Sequence, residues 1–458
     1  MMHPTVGVHH AMPRDIRGHP NAAAEAQCEL AAGLEYYRDR TKQMIARLSD
    51  DDVHRQHDSI MSPLIWDVGH VGNFEELWLL RRLDGRAAHD LRLDEMYNPF
   101  DNPRWSRGNL PLLDRSEALE YLDEVRGDVL EIVRHTDLDP ANPLVRDGYV
   151  FRMVIQHEAQ HQETMLQALD LRDDLPAYAL VDDGHIGAAH AVDDTERVVI
   201  PGGPFLRGTD DTKESYDNEQ PRHTVEVGTF VIDRFPVTNR RYVEFVEADG
   251  YERSELWTDD AWSWRAGVDI DAPQGWVPRV GGGWLIRRFG HVLDLDPAEP
   301  VQHLSFHEAE AFARFAGGRL PTEAEWEKTA TWGPEATVPN FYPWGATAPS
   351  TELANVGRSR WGPAPVGTYP SGASSYGVEQ LLGDVYEWTS SLFVAYPGFS
   401  SFPYPEYSEV FFDDPEFRVL RGASWATSTE VTRNTFRNWD YRIRRQIFSG
   451  VRLAWDEV

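Results

Sequence analysis

Two histidines four residues apart have the spacing that most directly suggests chemistry in this sequence. His157 and His161 lie in the run Val-Ile-Gln-His-Glu-Ala-Gln-His-Gln-Glu-Thr-Met-Leu. Side chains four apart share one face of a helix, so the two imidazoles could bind one metal ion. His70, in a second apolar helical stretch, could supply a third ligand. Three neutral imidazoles from two helices would hold a first-row transition metal and leave coordination positions open for substrate and O2.

The same histidines allow two other interpretations. They could be core or surface residues without a metal, because the spacing alone does not discriminate. With Glu158 they also form a His-Glu-x-x-His run, the pattern of zinc proteases in which the glutamate is the general base. Against the protease, His70 lies upstream, whereas those enzymes take their third ligand from downstream. Asp67 and Asn73 flank His70, and either could orient its ring.

A second group of residues lies towards the C-terminus. Asp440 and Arg444 are an anion and a cation four residues apart. Such a pair could bind an amino acid, with the carboxylate receiving the α-ammonium group and the guanidinium binding a carboxylate. An internal surface salt bridge is the alternative. Tyr404 and Tyr407 lie in the loop-like run Pro-Tyr-Pro-Glu-Tyr. Loop tyrosines commonly only pack, but a phenol near a metal could donate a proton or a hydrogen atom.

A third group has the character of structural turns. The runs Gly-Asp-Val-Tyr-Glu-Trp-Thr-Ser at residues 383–390 and Arg-Gly-Ala-Ser-Trp at residues 421–425 combine glycine turns with tryptophan anchors. Their carboxylates, together with Asn355, could hold a Ca2+ ion through oxygen ligands. The sequence leaves the presence of this ion open.

The histidines need a helical scaffold, and the first third of the chain has the pattern of one. Amphipathic stretches predict four helices that form a bundle, at residues 25–47, 64–83, 116–135 and 149–171. Ser116 is the predicted N-cap of the third helix. The core of such a bundle is a usual place for a metal site. The connection over residues 84–113 is long, and long ordered loops are often functional.

The pattern changes after the bundle. Residues 172–197 are acidic and aperiodic, which predicts a linker, and short strands with many glycines and tryptophans follow. Two helices are predicted there, one at residues 307–316 and a short one that begins with a Thr322–Glu325 capping box. The predicted protein is α+β and multidomain, with a disordered tail at 1–22, a bundle at 23–171, a linker at 172–197 and a second domain at 198–458.

Composition excludes several classes of function. The chain has 458 residues, too many for one ordinary core. Its formal net charge of -31 argues against a nucleic acid partner. The single cysteine, Cys28, excludes disulfides within the chain and two-cysteine redox chemistry. No apolar run predicts a membrane span and no signal peptide is apparent, so we expect a cytoplasmic protein.

Several motifs of the second domain, in order, resemble the formylglycine-generating-enzyme-like (sulfatase-modifying factor) domain, a variant of the C-type lectin fold. They are Pro-Gly-Gly-Pro-Phe-Leu-Arg-Gly at residues 201–208 and the runs at 219–223, 234–239, 318–327, 383–389 and 449–452. The N-terminal part resembles the DinB-like helical bundle. The pairing is similar to the ergothioneine-biosynthesis sulfoxide synthases. True formylglycine-generating enzymes carry a cysteine pair after the Arg-Gly-Gly-Ser-Trp run, and the corresponding residues 425–432 contain none. That activity is therefore not expected.

The resemblance implies a metal centre and a substrate that binds beside it. The metal would be Fe(II), and its ligands would be His70, His157 and His161. Gln160 and Trp66 would lie beside the metal, near the imidazole of Nα-trimethylhistidine (hercynine). Asn438 and Trp439 would help to hold the backbone of that substrate.

The resemblance also implies a thiol site and a catalytic residue. Asp440 and Arg444 match a γ-glutamylcysteine-binding pair, which acts with an arginine from the long loop. Arg104 and Arg107 both fit that role. Tyr404 matches the catalytic tyrosine of the family, and Tyr407 matches its neighbour.

The function implied is that of a non-haem iron sulfoxide synthase. It would use O2 to join the sulfur of γ-glutamylcysteine to C2 of the hercynine imidazole and to oxidise that sulfur. Two alternatives keep the chemistry, with free cysteine as the donor or with histidine as the acceptor in an ovothiol-type reaction. A third alternative is a lectin-like binding module whose bundle is only a scaffold. The enzyme requires the active site to lie where the two domains meet.

Overall fold

The N-terminal third of the protein is a helical bundle. The structure is a computed structural model that describes residues 22–172 and 189–457. The helices of the bundle are α1 (Ala22–Ile45), α2 (Asp50–His54), α3 (Leu64–Glu75), α4 (Leu91–Tyr97), α5 (Arg115–Val133) and α6 (Tyr149–Asp170). The four longest confirm the four predicted helices. The predicted tail lies outside the described residues except for Ala22, and so does the linker between 173 and 188.

Two local features of the bundle differ from the sequence prediction. The N-cap of α5 is Asp114 and not Ser116, because the Asp114 carboxylate accepts the N–H of Glu117 and the Glu117 carboxylate accepts the N–H of Asp114. Helix α3 continues beyond its last α-helical residue as a π-helix over Glu76–Leu83. The long connection is also partly helical, since it contains α4 and a 3₁₀ turn at Arg104–Asn109.

The C-terminal domain is built from short strands and a few helices. In chain order its elements are β1 (Arg197–Ile200), β2 (Gly203–Arg207), β3 (His223–Val227), β4 (Phe230–Asp233), α7 (Asn239–Glu247), α8 (Asp259–Val268), β5 (Trp276–Pro278), β6 (Trp284–Arg288), β7 (His291–Asp294), α9 (Phe306–Phe315), α10 (Glu323–Thr331), β8 (Tyr386–Trp388), β9 (Phe417–Arg421), β10 (Asn438–Tyr441), β11 (Ser449–Gly450) and β12 (Ala454–Asp456). The predicted helix at 307–316 corresponds to α9, and the predicted capping box of Thr322 and Glu325 begins α10.

The strands form small sheets, and the one that matters for the site is four-stranded. Its order is β10-β9-β8-β11, with antiparallel pairing except between β8 and β11, which are parallel. The other sheets have the orders β1-β4-β12, β5-β6-β7 and β2-β3. Asn438, Trp439 and Asp440 lie on β10, at the edge of the four-stranded sheet. No helix in the described ranges is long and apolar enough to cross a membrane.

The two domains share their hydrophobic core. Trp66 and Phe151 of the bundle belong to the same contiguous cluster of buried side chains as Tyr216 and Trp388 of the C-terminal domain. A second cluster likewise joins the bundle to the C-terminal domain, where it includes Trp425. Burial of this apolar surface stabilises one fixed arrangement of the domains.

Helix α6 carries most of the polar contacts between the domains. One stripe of its surface bears polar side chains separated alternately by four and three residues, which places them on a single face. Each accepts or donates a hydrogen bond to the C-terminal domain, and they are Gln156, Gln160, Glu163, Gln167 and Asp170. We call this set the α6 docking stripe. His157 and His161, two of the predicted metal ligands, lie next to it on the same helix.

Candidate metal centre

The three predicted metal ligands converge. Ligand atoms of His70, His157 and His161 all lie within 4.8 Å of one another, and the Nε2 atoms of His70 and His157 are 3.2 Å apart. His70 comes from α3 and the other two from α6, as the spacing predicted. They form a group of three side chains at the distance needed to share one ion.

Hydrogen bonds at the Nδ1 atom orient two of these rings. His70 Nδ1 donates to the carbonyl oxygen of Tyr97 at 2.8 Å, which leaves Nε2 as the free lone pair. His161 Nδ1 lies 2.9 Å from a carboxylate oxygen of Asp67. Asp67 therefore orients His161 and not His70, its neighbour in sequence. Asn73, the other candidate, donates to Asp94 and takes no part in the site.

Aromatic rings fix two of the imidazoles. The Trp66 ring is stacked on His70 with centroids 4.7 Å apart and planes at 11°. Phe74 is stacked on His157 with centroids 3.7 Å apart and planes at 12°. Trp66 itself is tied down, since its indole N–H donates to the carbonyl of Met96. The ligand rings are therefore held before any ion binds.

The electrostatics of the site keep the imidazoles neutral. Burial and the neighbouring histidines lower the pKa of His70 and of His157 well below the usual value. Neutral imidazole is the form that binds a metal. A set of three neutral nitrogen donors without thiolate or carboxylate suits first-row transition metals such as iron, zinc, copper or nickel. The residues present thus fit a transition metal ion.

Glu158 is not placed to act as the general base of a zinc protease. Its carboxylate accepts hydrogen bonds from Arg38 at 3.0 Å, Thr41 at 2.7 Å and Arg126 at 3.3 Å. Burial alone would raise the pKa of Glu158, but the two arginines reverse the effect and lower it. The side chain is buried among these partners in the bundle, where it stabilises the packing of α6 against α1 and α5.

Tyrosines from the C-terminal domain lie against the bundle beside the histidines. Gln160 donates to the Tyr407 hydroxyl at 3.3 Å, and its carbonyl accepts the Tyr216 hydroxyl at 3.1 Å. The rings of Tyr216 and Tyr407 are stacked with centroids 4.2 Å apart. Trp439 meets Tyr407 edge to face, with centroids 5.6 Å apart. The structure thus brings these predicted residues together and adds Tyr216, which no motif indicated.

Tyr404 lies over the aromatic wall formed by α3 and its π-helical continuation. Its ring centroid is 5.1 Å from that of Trp78 and 6.1 Å from that of Phe74. Burial raises the pKa of Tyr404 well above the usual value, so the phenol keeps its proton. Its hydroxyl makes no hydrogen bond to any described residue, which leaves it available to a bound molecule.

The predicted thiol-site residues also meet at the domain junction. Arg444 donates to Asp440 at 2.9 Å and, across the junction, to Gln167 of α6 at 3.0 Å. Only 2% of Arg444 is exposed, which removes the surface salt bridge as an explanation. Burial and the Arg444 charge lower the pKa of Arg104 to about 10. Burial and the Arg104 charge lower the pKa of Arg107 to about 9.

The two loop arginines differ in how they are bonded. Arg107 donates to the carbonyl of Asn102 at 2.9 Å and to the hydroxyl of Ser62 at 2.8 Å, and its guanidinium lies 3.6 Å from the centre of the Trp66 ring. The guanidinium of Arg104 makes no hydrogen bond to any described residue. Arg104 is therefore the arginine of the pair that is free to bind an anion.

The carboxylate considered for Ca2+ is already satisfied by protein donors. Asp384 accepts hydrogen bonds from the side chains of Asn355 and Gln380, both at 2.8 Å, and from the N–H of Ala364 at 2.7 Å. Donors in these positions occupy the oxygens that a cation would need. Among the described residues, this group serves to close a turn.

Comparison with known proteins supports the two-domain description. Residues 34–165 match the DinB superfamily, and residues 184–457 match the sulfatase-modifying factor enzyme 1-like domain. The hercynine oxygenase of Mycolicibacterium smegmatis is 46% identical over 437 residues, which cover 93% of this chain and 98% of that protein. The hercynine oxygenase of Mycolicibacterium thermoresistibile is 45% identical, over 95% of this chain and 96% of that protein. This chain belongs to the hercynine oxygenase family.

Family membership confirms the fold class predicted from the motifs and makes the protein an oxygen-dependent enzyme. A more distant relative, the formylglycine-generating enzyme of Mycobacterium tuberculosis, is 36% identical but covers only 43% of this chain. Its match leaves more than half of this chain uncovered, whereas the matches to the two hercynine oxygenases include both domains.

Proposed function

We propose that this protein is a non-haem iron(II) sulfoxide synthase of ergothioneine biosynthesis. It would couple the sulfur of γ-glutamylcysteine to C2 of hercynine with O2, giving γ-glutamyl-hercynylcysteine sulfoxide. The observation that carries this function is the convergence of His70, His157 and His161 within 4.8 Å at the domain junction, among tyrosines and arginines of the predicted substrate sites. The high identity to hercynine oxygenases along almost the whole chain supports it.

The reaction balances with O2 as the oxidant. Formation of the C–S bond removes the hydrogens of C2 and of the thiol and releases two electrons. Oxidation of sulfur to the sulfoxide releases two more, so O2 accepts four electrons; one oxygen atom enters the sulfoxide and the other leaves as water. Iron(II), held by the three histidines, would supply the redox chemistry that O2 requires. Holding both substrates beside it converts a multi-body encounter into a reaction within one complex.

The aromatic residues around Gln160 suit a quaternary ammonium substrate. A trimethylammonium group is attracted to the faces of aromatic rings, and Tyr216, Tyr407 and Trp439 provide such rings close together. The side-chain amide nitrogen of Asn438 makes no hydrogen bond to any described residue, so it can donate to the substrate carboxylate. These contacts would orient hercynine with its imidazole towards the histidines.

The charge at the thiol site favours the γ-glutamyl donor over free cysteine. Three guanidinium groups, those of Arg104, Arg107 and Arg444, influence one another there, and the carboxylates near them are Asp67 and Asp440. The site therefore has a surplus of positive charge. At neutral pH γ-glutamylcysteine carries two carboxylates and one ammonium group, whereas cysteine carries one of each. The surplus attracts the dipeptide more strongly.

Tyr404 is the proposed proton donor. Its phenol is protonated at neutral pH, because burial raises its pKa. Its Oη atom makes no hydrogen bond to any described residue. Tyr404 Oη would deliver a proton to reduced oxygen and so favour C–S coupling. Without it, both oxygen atoms would pass to the thiol sulfur and give the sulfinate.

Anaerobic reconstitution with Fe(II), followed by O2 uptake and product analysis, tests this function. We expect uptake and sulfoxide formation with hercynine plus γ-glutamylcysteine, and a lower kcat/KM with hercynine plus cysteine. Faster turnover with cysteine would assign free cysteine as the donor, and coupling with histidine would indicate the ovothiol-type reaction. A protein that binds Fe(II) but consumes no O2 with any pair would contradict the enzyme and favour a binding module.

A further inference from the structure

We infer that Trp78, in the π-helical continuation of α3, is the positioning residue that sets the orientation of the Tyr404 phenol. Its role rests on the proposed function of Tyr404. It would control how the reaction divides between the coupled sulfoxide and the thiol sulfinate.

The first observation is that packing of the ring, and no hydrogen bond of its hydroxyl to a described residue, orients the Tyr404 side chain. Its hydroxyl has no hydrogen-bond partner among the described residues, so polar contacts do not fix its direction. The ring contacts three aromatic neighbours, with centroid distances of 5.1 Å to Trp78, 6.1 Å to Phe74 and 6.3 Å to Tyr407. Trp78 has the shortest of these contacts. A phenol that must reach one reacting atom depends on such packing for its aim.

The second observation is that Trp78 is itself fixed. Only 4% of the residue is exposed, and the Arg82 guanidinium lies 5.0 Å from the centre of its ring. On the side of the metal centre, Phe74 is 6.2 Å from Trp78 and is stacked on His157. A continuous series of aromatic contacts therefore runs from a metal ligand to the proposed proton donor. Trp78 supports one side of that series, because it contacts both Phe74 and Tyr404.

The third observation concerns the helix geometry. His70, Phe74 and Trp78 are successively four residues apart along α3 and its continuation. In an α-helix, four residues exceed one turn by about 40°, so a third member of such a series turns away from the first. A π-helix bonds residue i to i+5 and has more residues per turn, so the change of direction is reversed. The π-helix over Glu76–Leu83 thus directs Trp78 back towards the face that carries His70. π-Helical turns frequently occur at functional sites.

Substitution of Trp78 tests this role with two readouts. The variants are Trp78→Leu, which removes the ring, and Trp78→Phe, which keeps an aromatic face. Trp284→Leu is the matched control, because Trp284 is a half-buried tryptophan in the β5-β6-β7 sheet, outside the site. A crystal structure of each metal-free protein reports the position of the Tyr404 ring. Product analysis of the Fe(II) enzyme with hercynine and γ-glutamylcysteine reports the sulfoxide-to-sulfinate ratio.

We expect Trp78→Leu to displace or disorder the Tyr404 ring and to lower the sulfoxide-to-sulfinate ratio about tenfold, since displacements on the order of 1 Å can cost far more in rate. Thiol KM should change little, because the thiol site is elsewhere. Trp78→Phe should restore much of the ratio, and Trp284→Leu should resemble the wild type.

An unmoved Tyr404 ring in Trp78→Leu would overturn the inference, and so would an unchanged product ratio despite a displaced ring. If Trp78→Leu does not fold, the same outcomes are read from Trp78→Met, which also removes the aromatic ring but fills more of its volume. Failure of the proposed function is distinguishable, because the wild type would then form no sulfoxide while the metal-free structures still report on Tyr404.

Discussion

His161 and Asp67 form the residue pair on which we expect metal affinity to depend most directly. The Nδ1 of His161 is 2.9 Å from Oδ1 of Asp67. The other carboxylate oxygen of Asp67 has no hydrogen-bond partner among the described residues. A carboxylate behind a metal-binding histidine fixes its tautomer and makes it a stronger donor. The hydrogen bond from His70 to the Tyr97 carbonyl has the same effect with a neutral acceptor.

Asp67→Asn should weaken metal binding without unfolding the protein. Asparagine keeps the shape but removes the charge, and loss of such a partner typically costs about 10- to 100-fold in metal affinity. Anaerobic titration with Fe(II), or with Co(II) as a spectroscopic substitute, measures the change. Asp123→Asn, on the exposed surface of α5, is the control. Equal affinity in Asp67→Asn and the wild type would show that this hydrogen bond does not tune the site.

Tyr404→Phe should redirect the reaction and not abolish it. Phenylalanine keeps the ring packed against Trp78 but removes the proton that the phenol carries. The expected result is a shift of product from the sulfoxide to the γ-glutamylcysteine sulfinate, measured by mass spectrometry at matched O2 consumption. An unchanged sulfoxide yield would remove Tyr404 from the mechanism.

Sequence could identify the ligand residues but not their partners. The four-residue spacing of His157 and His161 dictates a shared helix face, so that prediction needed only local geometry. The pairing of Asp67 with His161 depends on how α3 and α6 are rotated against each other. The role of the Tyr97 carbonyl depends on the path of the long connection. Neither is encoded in local spacing.

At the scale of elements, the segment that carries Tyr404 is anchored by a single buried carboxylate. Asp217 accepts the N–H of Phe402 at 3.0 Å and the hydroxyl of Ser408 at 2.7 Å, on either side of Tyr404. Burial raises the pKa of Asp217 to about 6, and the two hydrogen bonds reduce that rise. The anchor thus combines a positional role with a dependence on pH.

Asp217→Asn should change how stability depends on pH. The folded pKa is raised above the unfolded value, so the contribution of this group is complete below the unfolded pKa and is lost as pH rises through about 6. Asparagine cannot titrate, yet it can accept from Phe402 and donate to Ser408. As pH rises from acid to neutral, the free energy of unfolding of Asp217→Asn should increase relative to that of the wild type by up to about 3 kcal/mol.

Urea unfolding of Asp217→Asn and the wild type at about pH 5 and about pH 7.5 measures the part of this difference that falls between these pH values, about 1.4 kcal/mol. Parallel stability at both pH values would contradict it. Asp217→Ala is the companion variant, because it leaves both Phe402 N–H and Ser408 without an acceptor. It should lower the sulfoxide yield, whereas Asp217→Asn should retain most of it.

The helices could be predicted from sequence better than the loops. The hydrophobic period located the long helices within a few residues, because each buries one face. The π-helix had no such signal, and the Tyr404 segment is held by Asp217 from far away in the chain. The docking stripe of α6 is a polar series with alternating four- and three-residue steps. Only the structure shows that its partner is the second domain.

At the scale of the whole molecule, the two domains behave as one folded body. They share hydrophobic clusters, and Glu163 of α6 accepts hydrogen bonds from Ser424 at 2.6 Å and Thr427 at 2.8 Å across the junction. Glu163 therefore joins the helix that carries His157 and His161 directly to a loop of the second domain.

Glu163→Ala should destabilise the whole protein. It removes the carboxylate that Ser424 and Thr427 share and leaves their hydroxyls only each other and the Tyr386 hydroxyl as partners, which costs about 1–3 kcal/mol. Glu163→Gln keeps an acceptor and should lose much less. Differential scanning calorimetry of the metal-free proteins measures the change. Equal unfolding temperatures for Glu163→Ala and the wild type, or equal losses in both variants, would contradict the role of this contact.

The organisation of the whole molecule could be predicted in outline. A change of pattern near residue 172 separated helical from strand-rich sequence, and motifs identified both halves. The extent of the junction could not be predicted, because it depends on side chains from distant segments that have no common motif. Arg444 illustrates this, since its contact with Gln167 joins residues 277 positions apart.

Helix α6 carries two kinds of side chain on adjacent faces. His157 and His161 lie on one face, and the α6 docking stripe lies on the next. Adding one residue to a helix turns everything beyond it by about 100°. An insertion or deletion between His161 and Glu163 would therefore keep the imidazoles in the bundle but turn Glu163, Gln167 and Asp170 away from the groups of the C-terminal domain that donate hydrogen bonds to them. The register of side chains along this one helix, and not its amino-acid composition, keeps the predicted metal site aligned with the substrate sites. Length variants should accordingly be absent here and be confined to the loops around it.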